Sequence, residues 1–105
     1  MRRGEIWWAN LPGPAGRRPV VLLSRDEAYQ VRSSVTVAPV TRTVRRIPVE
    51  VALGPEHGLP SACVANLDDI LTIPRSRLDS RIAELGAAKM AEVAAAIRFA
   101  LALDH

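Results

Sequence analysis

Short β-rich runs separated by turns recur along most of this chain, and they limit its fold more than any other feature. The runs are EIWWAN, PVVLLS, VTVAPV, IPVEVAL, SACVAN, DILTIP and DSRIAEL. Segments rich in proline and glycine, such as LPGPAG and GPEHGLP, interrupt them. β-Branched and aromatic runs bounded by such turns are typical of strands. Five or more strands at this spacing predict a small antiparallel barrel or sandwich.

The end of the chain has a different pattern. The segment from Ala87 to Leu103 is rich in alanine and contains no proline or glycine. Its apolar side chains recur at spacings of three and four residues, at Met90, Val93, Ile97 and Leu101. This stripe predicts one C-terminal helix, and hence an α+β fold that is mainly β. Phe99 and Leu103 lie on a neighbouring helix face, which either a second copy of the chain or the small sheet itself would cover.

Length and composition exclude several classes of protein. With 105 residues the chain fits a single domain, residues 1–105, because a second core is hard to build below roughly 150 residues. One cysteine allows no intramolecular disulfide, and no apolar leader follows MRRGEIWW, so we expect a cytoplasmic protein. The apolar stretch VAAAIRFALAL is interrupted by Arg98 and is too short for a membrane span.

Metal and nucleophile chemistry have little support in the sequence. The two histidines are far apart, the cysteine is solitary, and no glycine-rich phosphate loop is present. We therefore expect no metal site and no cofactor. Cys63 lies inside the apolar run ACVA, where a core position is expected rather than a nucleophile.

Positive charge is concentrated in the first half of the chain. Residues 1–46 hold nine arginines and three acids, a net charge of +6, whereas residues 47–105 have a net charge of −3. An arginine-rich face attracts phosphates or an acidic peptide. A compositional bias toward arginine also accounts for the arginine content, but the clustering favours a binding surface.

Two arginines stand at the start of the second β-rich run, in GRRPVVLLSRD, where the strand is expected to begin at Pro19. Thr41 ends the third run, in VTVAPVTR. If these strands are neighbours, Arg17 or Arg18 meets Thr41 at the edge of the sheet, and a guanidinium beside a hydroxyl can bind phosphate. Polar residues that merely flank strands are the other interpretation.

Four segments in order, RGEIWWANL, GRRPVVLLSRD, TVAPVTR and CVANLDDILTIPRSRL, resemble the MazF/PemK family of toxin endoribonucleases over nearly the whole chain. The short connection LPGPAG is similar to that of the short-loop members. The resemblance implies an SH3-like antiparallel barrel with a packed C-terminal helix. It also implies a homodimer that cuts single-stranded RNA at short sequence motifs without a metal ion.

The resemblance further implies a catalytic pair. Arg18, directly before the proline, and Thr41, at the end of the third strand, match the family's catalytic residues. The implied reaction is attack of the RNA 2′-hydroxyl on the adjacent phosphate, which leaves a 2′,3′-cyclic phosphate and a 5′-hydroxyl end. Arg18 would stabilise the charge on the phosphorane oxygens. Arginine is a poor base, so the proton acceptor stays open among Asp68, Glu5 and His57.

Other residues are expected to contact RNA. Four arginines are predicted to track the RNA backbone: Arg17, Arg42, Arg45 and Arg46. In the segment ANLDD, Asp68 matches an acid that assists cleavage in some members, whereas Asn66 stands where those members have a basic residue. We expect both at the RNA site. Alternation along EIWWAN predicts a core position for Trp8 and leaves Trp7 to stack on an unpaired base or to pack at a dimer seam.

Three functions are consistent with these patterns. The first is a toxin endoribonuclease acting on messenger, transfer or ribosomal RNA, which an acidic and partly disordered antitoxin segment inhibits by covering the basic groove. The alternative is a gyrase-poisoning toxin of the same fold superfamily, and the third is a plain single-stranded nucleic-acid binding barrel. Arg18 and Thr41 together favour the nuclease, since a gyrase binder has no use for a phosphate-stabilising pair.

Overall fold

The computed structural model describes residues 1–103; residues 104 and 105, which the predicted domain includes, lie outside the described part. Its elements are β1 (Glu5–Asn10), β2 (Arg17–Leu22), α1 (Ala28–Val31), β3 (Ser34–Thr41), β4 (Glu50–Leu53), β5 (Cys63–Asn66), β6 (Leu71–Pro74), β7 (Leu78–Glu84) and α2 (Ala87–Leu101). Each β-rich run of the sequence overlaps one strand, which confirms the strand prediction. The short helix α1 lies in the connection DEAYQVRSS, where the sequence patterns indicate no element.

The strands form one mainly antiparallel sheet. Its order is β4-β5-β3-β2-β1-β7, and β6 pairs with β3 beside this path. Every pairing among residues 1–103 is antiparallel. The antiparallel sheet with a C-terminal helix confirms the predicted α+β class, while closure of the sheet into an SH3-like barrel stays a prediction.

Apolar side chains are buried on both faces of the sheet. Val21 of β2 belongs to a cluster that includes Val93 of α2, so this cluster lies between the sheet and the helix. The neighbouring Val20 and Leu22 belong to a second cluster, with Val35 of β3. Alternate residues of a strand point to opposite faces, and the continuous apolar run of β2 therefore supplies both cores.

Helix α2 packs on the sheet through only part of its predicted stripe. Val93 is fully buried, and Met90 and Ile97 pack against the first cluster, which reaches α2 as far as Ala100. Leu101 is 56% exposed, so its predicted place in the stripe is wrong.

Phe99 and Leu103 are 63% and 61% exposed. The sheet does not cover these two side chains, which removes one of the two explanations given for this helix face. Among residues 1–103, neither helix has the length and apolar character needed to cross a membrane.

Candidate active site

Arg17 and Arg18 belong to β2 itself. The strand begins at Arg17, and the two arginines pair with Asn10 and Ala9 of β1. The prediction that the strand begins at Pro19 is therefore wrong by two residues. Proline lacks only its own N–H, so the ladder to β1 continues on its N-terminal side. The two guanidinium groups thus extend from a paired strand, and such elements position functional groups more precisely than loops do.

A gap opens between β2 and β3 beside these arginines. The two strands pair only as far as Val20 and Pro39, because the next residue of β2, Pro19, has no N–H to donate to β3. Thr41 instead pairs with β5. The register between β2 and β3, continued by two residues, brings Arg18 opposite Thr41, so both residues border the gap.

A hollow of about 460 Å³ lies at this gap. It is lined by Trp8, Arg17, Arg18, Pro19, Val40, Thr41, Arg42, Thr43, Leu59, Pro60, Ser61 and Cys63. A volume of this size is within the range of small-ligand pockets. The fold thus brings Arg18 and Thr41 to one concave site, where two arginines accompany them.

Arg18 and Thr41 each keep hydrogen-bond donors for a ligand. Arg18 Nε donates to the carbonyl oxygen of Ala15 at 3.0 Å, and its two terminal nitrogens donate to no residue in the described part of the chain. Thr41 Oγ1 accepts from the backbone N–H of Thr43 at 3.2 Å. Because the hydroxyl acts there as acceptor, its own O–H is left to donate. Both side chains are half-buried, which holds them in place without sealing them off.

The other predicted RNA-binding arginines divide into two groups. Arg17 and Arg42 line the hollow. Arg45 and Arg46 do not; they lie exposed in the loop after β3, where their backbone N–H groups donate to Glu50 Oε1 at 2.8 and 3.0 Å. The structure therefore gives two of the four arginines a place beside Arg18.

Asn66 and Asp68 are not part of the lining. Asn66 is 6% exposed; its Oδ1 accepts from the backbone N–H of Asp68 at 2.9 Å, and its Nδ2 donates to Asp69 Oδ2 at 3.1 Å. These bonds cap the short 3₁₀ turn Leu67–Asp69. Asp68 is exposed on that turn. This arrangement differs from the expected RNA site, because the polar atoms of Asn66 are already used inside the turn.

The structure also adds residues that the sequence patterns do not indicate. Trp8 is half-buried and lines the hollow, so its predicted core position is wrong. Leu59, Pro60 and Ser61, from the loop between β4 and β5, form another wall. A glycine- and proline-rich loop signals a turn, but nothing in its composition tells which strand end it will lie against.

Cys63 is buried, as predicted. Burial raises the pKa of its thiol, and the negative charge of Glu56 adds to the rise. The thiol therefore stays protonated at neutral pH and is a weak nucleophile.

None of the expected proton acceptors lies at the hollow. Glu5, His57 and Asp68 do not line the hollow, and none of its described lining residues carries a carboxylate or an imidazole. Within residues 1–103, no group of three or more His, Cys, Asp or Glu side chains is placed to hold a metal ion.

Known proteins match this chain over almost its whole length, including the residues of the hollow. The family model described as "PemK-like, MazF-like toxin of type II toxin-antitoxin system" matches residues 2–101. A Mycobacterium tuberculosis protein named "Probable endoribonuclease MazF2" is 41% identical over 99 residues, which cover 93% of this chain and 95% of that protein. Among solved structures, the M. tuberculosis toxin MazF-mt6 superimposes with a TM-score of 0.89 at 36% identity, covering 96% and 99% of the two chains. An endoribonuclease from a mycobacterial species, solved in complex with its cognate antitoxin, superimposes with a TM-score of 0.88 at 28% identity, covering 100% and 98%.

Proposed function

The chain belongs to the PemK-like, MazF-like family of toxins of type II toxin–antitoxin systems and is an endoribonuclease by that membership, and we propose that it cuts single-stranded RNA in the hollow without a metal ion. The observation that carries the proposal is that Arg18 and Thr41 line one hollow with donors left for a ligand.

The proposed chemistry is an internal transesterification. The 2′-hydroxyl oxygen of a nucleotide attacks the adjacent phosphorus, the bond from phosphorus to the 5′-oxygen of the next nucleotide breaks, and the products are a 2′,3′-cyclic phosphate and a 5′-hydroxyl. The two terminal nitrogens of Arg18 donate to the phosphorane oxygens, where negative charge increases. The hydroxyl of Thr41 donates to the same phosphate. The attacking hydroxyl gives its proton to solvent, and the leaving 5′-oxygen takes one from solvent.

We further propose an acidic antitoxin segment and a second copy of the chain as protein partners. A mycobacterial relative has been solved with its cognate antitoxin. Arg17, Arg18 and Arg42 give the hollow a positive charge that suits an acidic peptide as well as RNA. The exposed apolar end of α2 is consistent with a homodimer. We also propose a cytoplasmic location, where the protein would meet cellular RNA.

The test is cleavage of a mixed RNA pool in EDTA, followed by mapping of the new ends. We expect cuts at one recurring short motif, with cyclic phosphate and 5′-hydroxyl ends, that disappear in Arg18→Ala and Thr41→Ala. Arg25→Ala removes an exposed arginine outside the hollow and is the matched control, expected to cut like the unaltered protein. Cuts that survive both substitutions in the hollow would contradict the proposal, and intact RNA beside stalled gyrase would favour the gyrase alternative.

A further inference from the structure

The two adjacent tryptophans of β1 have different surroundings. Trp7 packs against the second apolar cluster, and its indole N–H donates to Glu5 Oε1 at 2.9 Å. Trp8 lines the hollow, and its indole N–H donates to no residue in the part of the chain that the structure describes. Trp8 therefore presents an aromatic ring and an unused donor to the hollow.

The ring of Trp8 is covered by a planar group in the free protein. The guanidinium carbon of Arg17 lies 4.5 Å from the centroid of the indole. A guanidinium is flat and stacks on aromatic faces, as a nucleobase does. The stacked position thus has the shape that an unpaired base would need.

Asp79 holds Arg17 in this position from β7, which lies on the other side of β1. Asp79 Oδ2 accepts from Arg17 Nη2 at 2.8 Å and from Nε at 3.3 Å. The pairing of β1 with β7 shifts between Trp8–Ser80 and Ala9–Leu78, so Asp79 is the additional residue of a bulge. Bulges redirect side chains beside functional sites. Both partners of this ion pair are about half exposed, and exposed pairs are weak and easily exchanged.

We propose that Trp8 is a base-stacking subsite for the nucleotide at the scissile phosphate, and that Arg17, held by Asp79, occupies this subsite until RNA binds. The inference rests on the proposed function, since it takes Arg18 and Thr41 as the phosphate site of the same hollow. A hollow of about 460 Å³ takes one nucleotide, with its phosphate at Arg18 and its base on Trp8. The base displaces the guanidinium of Arg17, which then becomes available to a phosphate.

The subsite has a direct test, because the chain contains only two tryptophans. In Trp7→Phe, all tryptophan fluorescence comes from Trp8. This variant is titrated with a short mixed-sequence 2′-O-methyl RNA, which lacks the attacking hydroxyl, and with the same backbone without bases; binding is followed by anisotropy of a dye on the RNA. We expect both to bind and only the RNA with bases to quench the tryptophan emission. Equal quenching by both, binding without quenching, or no binding would overturn the proposal.

Cleavage gives a second readout with a matched pair of variants. Trp8→Leu is expected to lower kcat/KM about tenfold, from the loss of one base–aromatic stack, whereas Trp7→Phe cuts normally. Asp79→Asn releases Arg17 and is expected to increase the affinity for RNA with bases about threefold, and more than the affinity for the base-free backbone. Equal changes for both ligands would show that Asp79 acts only through its charge. A wild-type protein that cuts no RNA would refute the proposed function and would still leave the fluorescence titration to decide the stacking subsite.

Discussion

At the scale of single residues, the proposed catalysis depends on the planar guanidinium of Arg18. Arg18 uses Nε to bond Ala15 and keeps two terminal nitrogens in a fixed fork, which matches two oxygens of a phosphate. A lysine at this position would keep the charge and lose both the anchor and the fork. Replacing Arg18 by lysine therefore tests whether the site needs two positioned N–H donors or only a positive charge.

Arg18→Lys is therefore expected to lower kcat about 100-fold or more, the loss typical of removing one preorganised donor from a charged transition state. The measurement is single-turnover cleavage of one RNA that contains the mapped motif. Arg25→Lys, outside the hollow, is the control and should keep the full rate. A full rate in Arg18→Lys would show that charge alone is sufficient.

Glu5 is a second residue whose role can be measured separately from catalysis. It is 6% exposed and accepts from the Trp7 indole at 2.9 Å and from Arg81 Nε at 3.2 Å. Burial opposes ionisation of this carboxyl, but the hydrogen bonds from Trp7, from the backbone at Arg2 and from Arg81 outweigh burial and lower its pKa below the ordinary 4.5. The unfolded chain therefore binds a proton at Glu5 more readily than the folded chain does.

It follows that ionised Glu5 stabilises the fold at neutral pH and that this contribution is lost as the pH falls below about 4.5 toward the lower folded pKa. Glu5→Gln is expected to lower the free energy of unfolding by about 1–2 kcal/mol at neutral pH. The difference from the unaltered protein should shrink in acid. Urea unfolding at several pH values measures it, with Glu27→Gln, which removes an exposed carboxylate, as control. A constant difference across pH would contradict the assignment.

At the scale of elements, the turn after β5 explains why a residue expected at the RNA site has another use. Asn66 caps the turn Leu67–Asp69 through Oδ1, and such a cap contributes about 1 kcal/mol. Asn66→Ala is expected to lower the free energy of unfolding by about 1–2 kcal/mol, since it also leaves a cavity, while kcat stays unchanged. Asp68→Ala, on the exposed side of the turn, should change neither. A loss of kcat in Asn66→Ala without a loss of stability would instead support the predicted contact of Asn66 with RNA.

The sequence patterns predicted where the strands and helix lie more accurately than which of their side chains are buried. The β-rich runs and the alanine-rich segment each coincide closely with a strand or helix, because propensity and turn residues act locally. Leu101 fits the helical period and is nevertheless exposed, since periodicity does not tell where the sheet beneath a helix ends. Trp8 fits a core position by alternation and instead lines the hollow, because the sequence does not show which strand will lie opposite Pro19 where the β2–β3 ladder ends.

At the scale of the whole molecule, the site exists only in the complete fold. Its walls come from β1, β2, the end of β3 and the loop before β5, segments that are distant in sequence. The basic first half of the chain supplies all three arginines of the hollow, and it also supplies Arg45 and Arg46, which lie outside the hollow in the loop after β3. The net charge alone does not tell which arginines bind RNA; their position in the hollow is the reason for proposing Arg17, Arg18 and Arg42 for this role.

That distinction can be measured by salt dependence. Each cation that neutralises a phosphate of single-stranded RNA steepens the plot of log affinity against log salt by about 0.7. Arg42→Gln, in the hollow, is expected to weaken binding and to reduce this slope by about that amount. Arg45→Gln removes the same charge from a position outside the hollow, farther along the same loop, and is expected to leave the slope unchanged. The measurement is fluorescence anisotropy of a labelled 2′-O-methyl RNA across salt concentrations. Equal reductions in both variants would mean that the RNA path continues from the hollow farther along the loop after β3, because only a direct phosphate contact releases a counterion.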